Sequence, residues 1–245
     1  MKKLSVITVT YNAERTLERT LKSVREQSYP HIEHIVVDGK SKDNTVSLIK
    51  QYENPKLKWI SEPDKGLYDA MNKAAAMTSG DYLCFLNAGD TFFNSETVEK
   101  MMQTIPDNPE PDIIYGETAI VDDEGIFLRM RRLQAPKNLT WKSFKQGMLV
   151  CHQAFIVNRA IFEPYDLRYR FSSDFDWTIK MMKKSKSIHN THLTLINYLS
   201  EGMTTANRKA SLKERYRIMA KHYGQVSTFL HHVWFVVRAV IRPEK

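Results

Sequence analysis

The chain has 245 residues, 42% of them hydrophobic and 26% charged, with a formal net charge of +8. That length and apolar share suit one large α/β domain, or one domain with an appendage, and exclude a disordered chain. Two cysteines make no disulfide framework, no run of about 18 apolar residues reads as a spanning helix, and the opening MKKLSVITVTYN turns polar too soon for a signal peptide.

A reducing, cytoplasmic setting is therefore expected, and the positive charge suits nucleic acid, anionic lipid or a phosphorylated small ligand. The segment LSVITVTY (4–11) reads as a β-branched strand. Asn12 is expected to cap a helix running to about Gln27, with Leu17, Leu21 and Val24 on one face. Tyr29-Pro30 breaks it, and HIEHIVVDG (31–39) is the second strand. Ser41, Asp43 and Asn44 supply a turn and cap for a helix over Val46–Tyr52. LKWIS is a third short strand, and Leu67–Met77 a helix packing through Ala70, Met71, Ala74 and Ala75. YLCFLN (82–87) and DIIYG (112–116) are the fourth and fifth strands, with Cys84 a buried free thiol. Strands alternating with helices imply a parallel sheet of βαβ units.

Beyond residue 116 the pattern changes. Residues 117–135 read as a hairpin turning at Asp122–Gly125. A strand and short helix fill 152–162, SSDFDWTIKMMKK (172–184) is helical, and LTLINYLS is a late strand. A basic helix covers 209–223, and the tail 227–245 is apolar with arginines at its end.

In an open parallel sheet, ligands bind beyond the carboxyl ends of the strands. Here those ends carry Thr10, Tyr11 and Asn12, then Asp38, then Glu62 and Asp64, then Asn87 and Asp90. Turn chemistry explains any one of them; all four together favour a ligand site. Acidic groups alone repel phosphates, so a divalent cation, Mg2+ or Mn2+, is implied between Asp90 and a diphosphate. A nucleic-acid-binding module has no need of acidic strand ends, so nucleic acid is not an expected partner. GxGxxG, GxxxxGK[ST] and zinc-spaced Cys/His clusters are all absent.

SVITVTYNAERTLERTLKSVREQSYPHIEHIVVDGKSKDNT, SEPDKGLYDAMNKA and GDYLCFLNAGD, in that order, resemble the family 2 inverting glycosyltransferases of the GT-A fold. The likeness covers roughly residues 3–180 and points to the branch that builds bacterial capsule, exopolysaccharide and lipopolysaccharide. It implies a Rossmann-like, mainly parallel sheet flanked by helices, with a nucleotide-sugar half over 1–115, a smaller acceptor half over 116–205 and a helical extension over 206–245. It implies that Thr10, Tyr11, Asn12 and Glu14 line the nucleotide pocket, that Asp38 holds the base, usually uracil, and that Lys65, Asp69 and Asn72 lie near ribose and diphosphate. The family's metal motif is DxD; here the segment is FLNAGD, so Asn87 and Gly89 replace two acids and Asp90 remains as metal ligand, with Asn87 offering only an amide oxygen. SSDFDW resembles the family's acidic pair at a helix start and implies Asp174 as general base, with Asp176 as alternative; an ordinary N-cap by Ser173 or Asp174 is the competing reading. His152 and Gln153 of CHQAF are implied near the acceptor or the phosphates.

The implied partners are a nucleotide-sugar donor, UDP-linked, and a glycan or polyprenyl-diphosphate-linked acceptor. The apolar tail has three readings: packing on the core, lying at a membrane surface beside Arg208, Lys209, Lys213, Arg215, Arg217 and Lys221, or forming a homodimer contact. Two rival functions are a sugar-nucleotide pyrophosphorylase, which needs a Gly-rich basic loop where TVTYNAERT stands, and a non-catalytic nucleotide-sugar-binding relative.

Overall fold

The computed structural model describes residues 1–106, 108–200 and 208–241. Strand β1 (Leu4–Thr10) is buried along its whole length, as a central strand covered on both faces must be. It pairs in parallel with β2 (Ile32–Asp38) and β4 (Tyr82–Phe85), and β2 pairs in parallel with β3 (Leu57–Ser61). Helices α1 (Leu17–Arg25), α2 (Thr45–Gln51) and α3 (Leu67–Ala76) connect them. Leu17, Leu21 and Val24 of α1, and Ala70, Met71, Ala74 and Ala75 of α3, are buried as the helical period predicts. Ile7, Leu83 and Phe85 are almost fully enclosed, each stabilising the fold by roughly 1.5–3 kcal/mol through burial. Cys84 is a buried free thiol.

The sheet continues from β3-β2-β1-β4 through β8 (Phe155–Asn158), β6 (Ile113–Val121), β9 (Ile188–Leu199) and β5 (Thr91–Phe92), with β7 (Phe127–Met130) on β6. Strand β8 runs antiparallel between β4 and β6, while β9 lies parallel to β6. The two-residue β5 pairs antiparallel with β9. One sheet thus crosses position 115/116, and the expected boundary at 205/206 lies outside the described residues. The hairpin forms between β6 and β7, with the Gly125 and Ile126 amides donating to the Asp122 carbonyl and carboxylate.

Several boundaries differ from expectation. The fifth strand continues to Val121 as the first arm of the hairpin, because Ala119, Ile120 and Val121 are as buried as its start. The late strand begins at Ile188 rather than Leu193; polar residues and a left-handed His192 (φ 56) interrupt its alternation. Helix α4 (Thr97–Thr104) was not anticipated, since only Val98 and Met101 give it a buried apolar face. Asn12 does not cap α1, which starts behind Thr16. Its φ is 48, its Oδ1 accepts from the Lys42 amide at 2.9 Å and its own amide donates to Ser41 Oγ at 2.8 Å, so it laces the loop after β1 to the loop after β2.

Helix α5 (Ser173–Lys184) packs on α6 (Arg208–Tyr223), which turns back into α7 (Gln225–Ile241). Buried Asp176 joins α5 to α6 through His222 (2.7 Å) and Lys221 (3.2 Å), with Lys180 at 2.7 Å. Tyr223 stacks on Trp141 at 5.4 Å and donates to its carbonyl at 2.6 Å. Among the described residues no helix is long and apolar enough to cross a membrane.

Candidate active site

A cleft of about 610 Å³ opens beyond the ends of β1 and β4. Thr10 ends β1 and Tyr11 follows it, Asp64 and Tyr68 come from α3 and the loop before it, and Asn87 and Asp90 follow β4. The other strands and helices add Arg131, His152, Gln153, Asp174, Tyr198 and Arg215. Side-chain polar atoms buried without a partner are few among the described residues, and three of them belong to this lining: Thr10 Oγ1, Asn87 Oδ1 and Arg215 Nε. Leaving such a group unpaired costs about 1–3 kcal/mol, so their convergence on one cleft points to a ligand that supplies the missing partners. Asn87 Oδ1 calls for a donor or a cation, and Arg215 Nε for an anion.

Asp90 is 4% exposed. Its Oδ1 accepts from the Leu199 amide at 3.0 Å and its Oδ2 from Gln153 Nε2 at 2.7 Å. Burial pushes its carboxyl up to about 7 despite those two donors and the more distant Arg19 charge. A buried carboxylate with only neutral hydrogen-bond partners lacks a counter-charge. Together with the orphaned Asn87 oxygen it offers two oxygen donors of the kind a hard divalent cation takes. No cluster of three or more His, Cys, Asp or Glu with metal-binding geometry occurs among the described residues. Gly89 accounts for the missing acid: its φ is +100, and a Cβ there would lie 2.7 Å from Leu199 Cδ2.

Asp174 sits in the first turn of α5 without capping it, the N-cap position being Ser172. Instead its Oδ1 accepts from the Tyr68 hydroxyl at 2.9 Å, and Ser173 Oγ donates to the Asp166 carbonyl. Burial, reinforced by the Asp174 charge, raises the Tyr68 phenol well above its ordinary value, so it remains a donor. His152 is buried beside the cleft with Nε2 2.7 Å from Tyr165 Oη. Burial lowers its pKa, outweighing the upward pull of Asp174, and leaves the imidazole neutral at pH 7. Gln153 takes its place as the donor to Asp90. Asp176 lies outside the cleft, its carboxyl held well down by His222 and Lys180 against the opposing effect of burial.

Five of the remaining sequence candidates, Glu14, Asp38, Lys65, Asp69 and Asn72, do not line the cleft. Asp38 is fully buried and accepts from the Ser41 amide and hydroxyl and from Ser61 Oγ at 2.6 Å, so a base edge reaching it must displace one of these donors. Glu14 accepts from the Asn44 amide at 2.9 Å. The Lys65 amide donates to Asp69 in the first turn of α3, and Asn72 clamps the Tyr165 backbone through both ends of its amide. Asp64 does reach the cleft, closing over Gly39, where a Cβ would lie 2.5 Å from its Oδ2.

Arg131, Tyr198 and the cleft-facing role of Arg215 were not read from the sequence. Arg131 donates to the carbonyls of Leu133, Met148 and Leu149 and to no carboxylate among the described residues, leaving its charge for the cleft. Its segment read only as a hairpin arm, and Arg215 as one of a run of basic helix residues. The orphaned Nε, visible only in three dimensions, separates Arg215 from its neighbours.

The sequence pattern of the family described as Glycosyl transferase family 2 matches residues 5–165. A Mycobacterium tuberculosis protein described as an uncharacterized glycosyltransferase is 32% identical over 182 residues, covering 72% of this chain and 68% of the relative. The UDP-Glc:alpha-D-GlcNAc-diphosphoundecaprenol beta-1,3-glucosyltransferase WfgD of Escherichia coli is 23% identical over 219 residues, covering 88% of this chain and 85% of the relative. Among solved structures, S. aureus TarS 1-349 in complex with UDP superposes with a TM-score of 0.72 at 18% identity, covering 98% of this chain and 72% of that one.

Proposed function

The chain belongs to glycosyl transferase family 2 and is a glycosyltransferase, and from that premise we propose that it moves a sugar from a UDP-sugar to a lipid-linked glycan acceptor with inversion at the anomeric carbon. The observation that carries the donor side is the convergence of Thr10 Oγ1, Asn87 Oδ1 and Arg215 Nε, all lacking partners, on one cleft. The UDP complex of the structural neighbour supports the choice of nucleotide, and the relative that acts on a diphosphoundecaprenol-linked sugar supports the acceptor class and a place in cell-surface glycan synthesis.

In this reading the nucleoside lies along Thr10, Tyr11 and Asp64, and the diphosphate faces Arg131 and Arg215. Asp90 and Asn87 would hold Mg2+ or Mn2+, which would neutralise charge on the diphosphate. Asp174 takes the proton from an acceptor hydroxyl as that oxygen attacks the anomeric carbon and the bond to the nucleoside diphosphate breaks. Tyr68 orients the carboxylate through its hydrogen bond. Buried His152, neutral, shapes the floor beside Asp174 rather than exchanging protons. The helical residues 208–241 form an extension beside the transferase core. Thermal unfolding with UDP, GDP and dTDP, each with and without Mn2+, tests the donor site: UDP is expected to stabilise the protein most, and the absence of stabilisation by any nucleotide refutes the reading.

A further inference from the structure

Helix α7 is built with its apolar face outward. Thr228 is fully buried, Phe235 packs against the core, and His232 meets the Tyr216 ring of α6 at 4.9 Å, which fixes the inward side. On the opposite side, Val226, Phe229, Leu230, Val233, Trp234 and Val237 follow one another at helical spacing and are 38–75% exposed. Among the residues of α7 whose burial is described, these six exposed apolar side chains stand against one, Phe235, turned inward, the reverse of an ordinary surface helix.

The charge of the same helical pair indicates what covers that stripe. Residues 208–241 contain seven Lys or Arg and a single acid, Glu214. Glu214 is engaged inward, accepting from the Arg170 and Phe171 amides. Lys209, Lys213 and Arg217 of α6 are exposed. By the periodicity of α6, Lys209 and Lys213 lie on the side that carries Tyr216, next to α7. A second copy docking stripe to stripe would bring two such cationic pairs together, whereas an anionic lipid surface complements both the stripe and the charge. We propose that α7 lies in the interface of an anionic bilayer, with Phe229 and Trp234 inserted and the α6 cations over the headgroups. Arg215 of the cleft stands on that same α6, so the mouth of the cleft is held near the lipid surface. The proposal stands on the two helices and does not depend on the transfer reaction.

Co-sedimentation of the full chain with vesicles of phosphatidylcholine, alone or mixed with phosphatidylglycerol, tests it. Binding is expected to the mixed vesicles, with weakening in raised salt. The double variant Phe229→Ser/Trp234→Ser is expected to weaken binding by at least about tenfold. Lys209→Gln/Lys213→Gln is expected to do so by a similar factor on anionic vesicles only. Thermal unfolding of both variants should match the parent, because all four side chains are exposed. Failure to sediment with the mixed vesicles, or undiminished binding by Phe229→Ser/Trp234→Ser, overturns the proposal. So does a dimer in light scattering that the same double variant dissociates.

Discussion

The Tyr68 hydroxyl donates to Asp174 Oδ1 across 2.9 Å, tying α3 of the parallel half to the first turn of α5. If Asp174 is the base, Asp174→Asn lowers kcat by about 10²–10⁴ while UDP binding is kept. Tyr68→Phe lowers kcat by about 10–10², the loss of one hydrogen bond to a charged group. Single-turnover transfer assays paired with UDP titrations separate the two effects, and full activity in Asp174→Asn removes that residue as base.

Arg215→Ala is expected to weaken UDP by about 10–10²-fold, as loss of a charge-assisted contact. It should leave uridine binding unchanged, because the guanidinium is assigned to the diphosphate. Calorimetric titration of both ligands checks this, and an equal loss for uridine would relocate Arg215 to the nucleoside side.

Mn2+ is expected to tighten UDP binding in the parent protein and to have no effect in Asp90→Asn, which keeps the shape of the side chain and removes its charge. Titrations in EDTA and in Mn2+ read the difference directly. Equal Mn2+ dependence in both proteins places the cation elsewhere.

Gly89→Ala combines a left-handed backbone with a Cβ driven to 2.7 Å from Leu199. It is expected to lose roughly 1–3 kcal/mol of stability in urea unfolding. An unchanged unfolding midpoint contradicts the packing described at that turn.

Much of the first half was legible in the sequence because its central strands, β1, β2 and β4, are covered on both faces. The β-branched runs of β1 and β2, buried from end to end, and the small-residue face of α3 leave little choice of structure. The second half was legible only in pieces. The antiparallel entry of β8 between β4 and β6 is a long-range pairing with no local sign. Within the site, Asp90 and Asp174 line the cleft, while Asn72 and Glu14 turned out to serve backbone groups: an amide or carboxylate looks the same in sequence whether it faces a ligand or a neighbouring N–H.

Stability should depend on His34. Its Nε2 lies 2.9 Å from Thr8 Oγ1, and burial pushes its pKa down to about 3 from an ordinary value of 6.5. Between those values the unfolded chain binds a proton that the folded protein refuses, so stability rises with pH. The contribution is complete above about 6.5 and is lost as pH falls toward 3, amounting to a few kcal/mol. Urea unfolding at pH 7 and pH 5 is expected to show the drop, and His34→Gln to flatten it. An equally steep drop in the variant assigns the effect to other groups.

The position of β8 also has a consequence for synthesis. Strand β4 ends at Phe85 and its partner begins at Phe155, so the growing chain carries β4 as a bare sheet edge over that whole interval. At ~5–20 residues per second on the ribosome, that is roughly four to fourteen seconds during which an apolar edge strand stands open to other nascent chains. Asp90 waits longer still, since the amide that holds its Oδ1 belongs to Leu199, 109 residues further on.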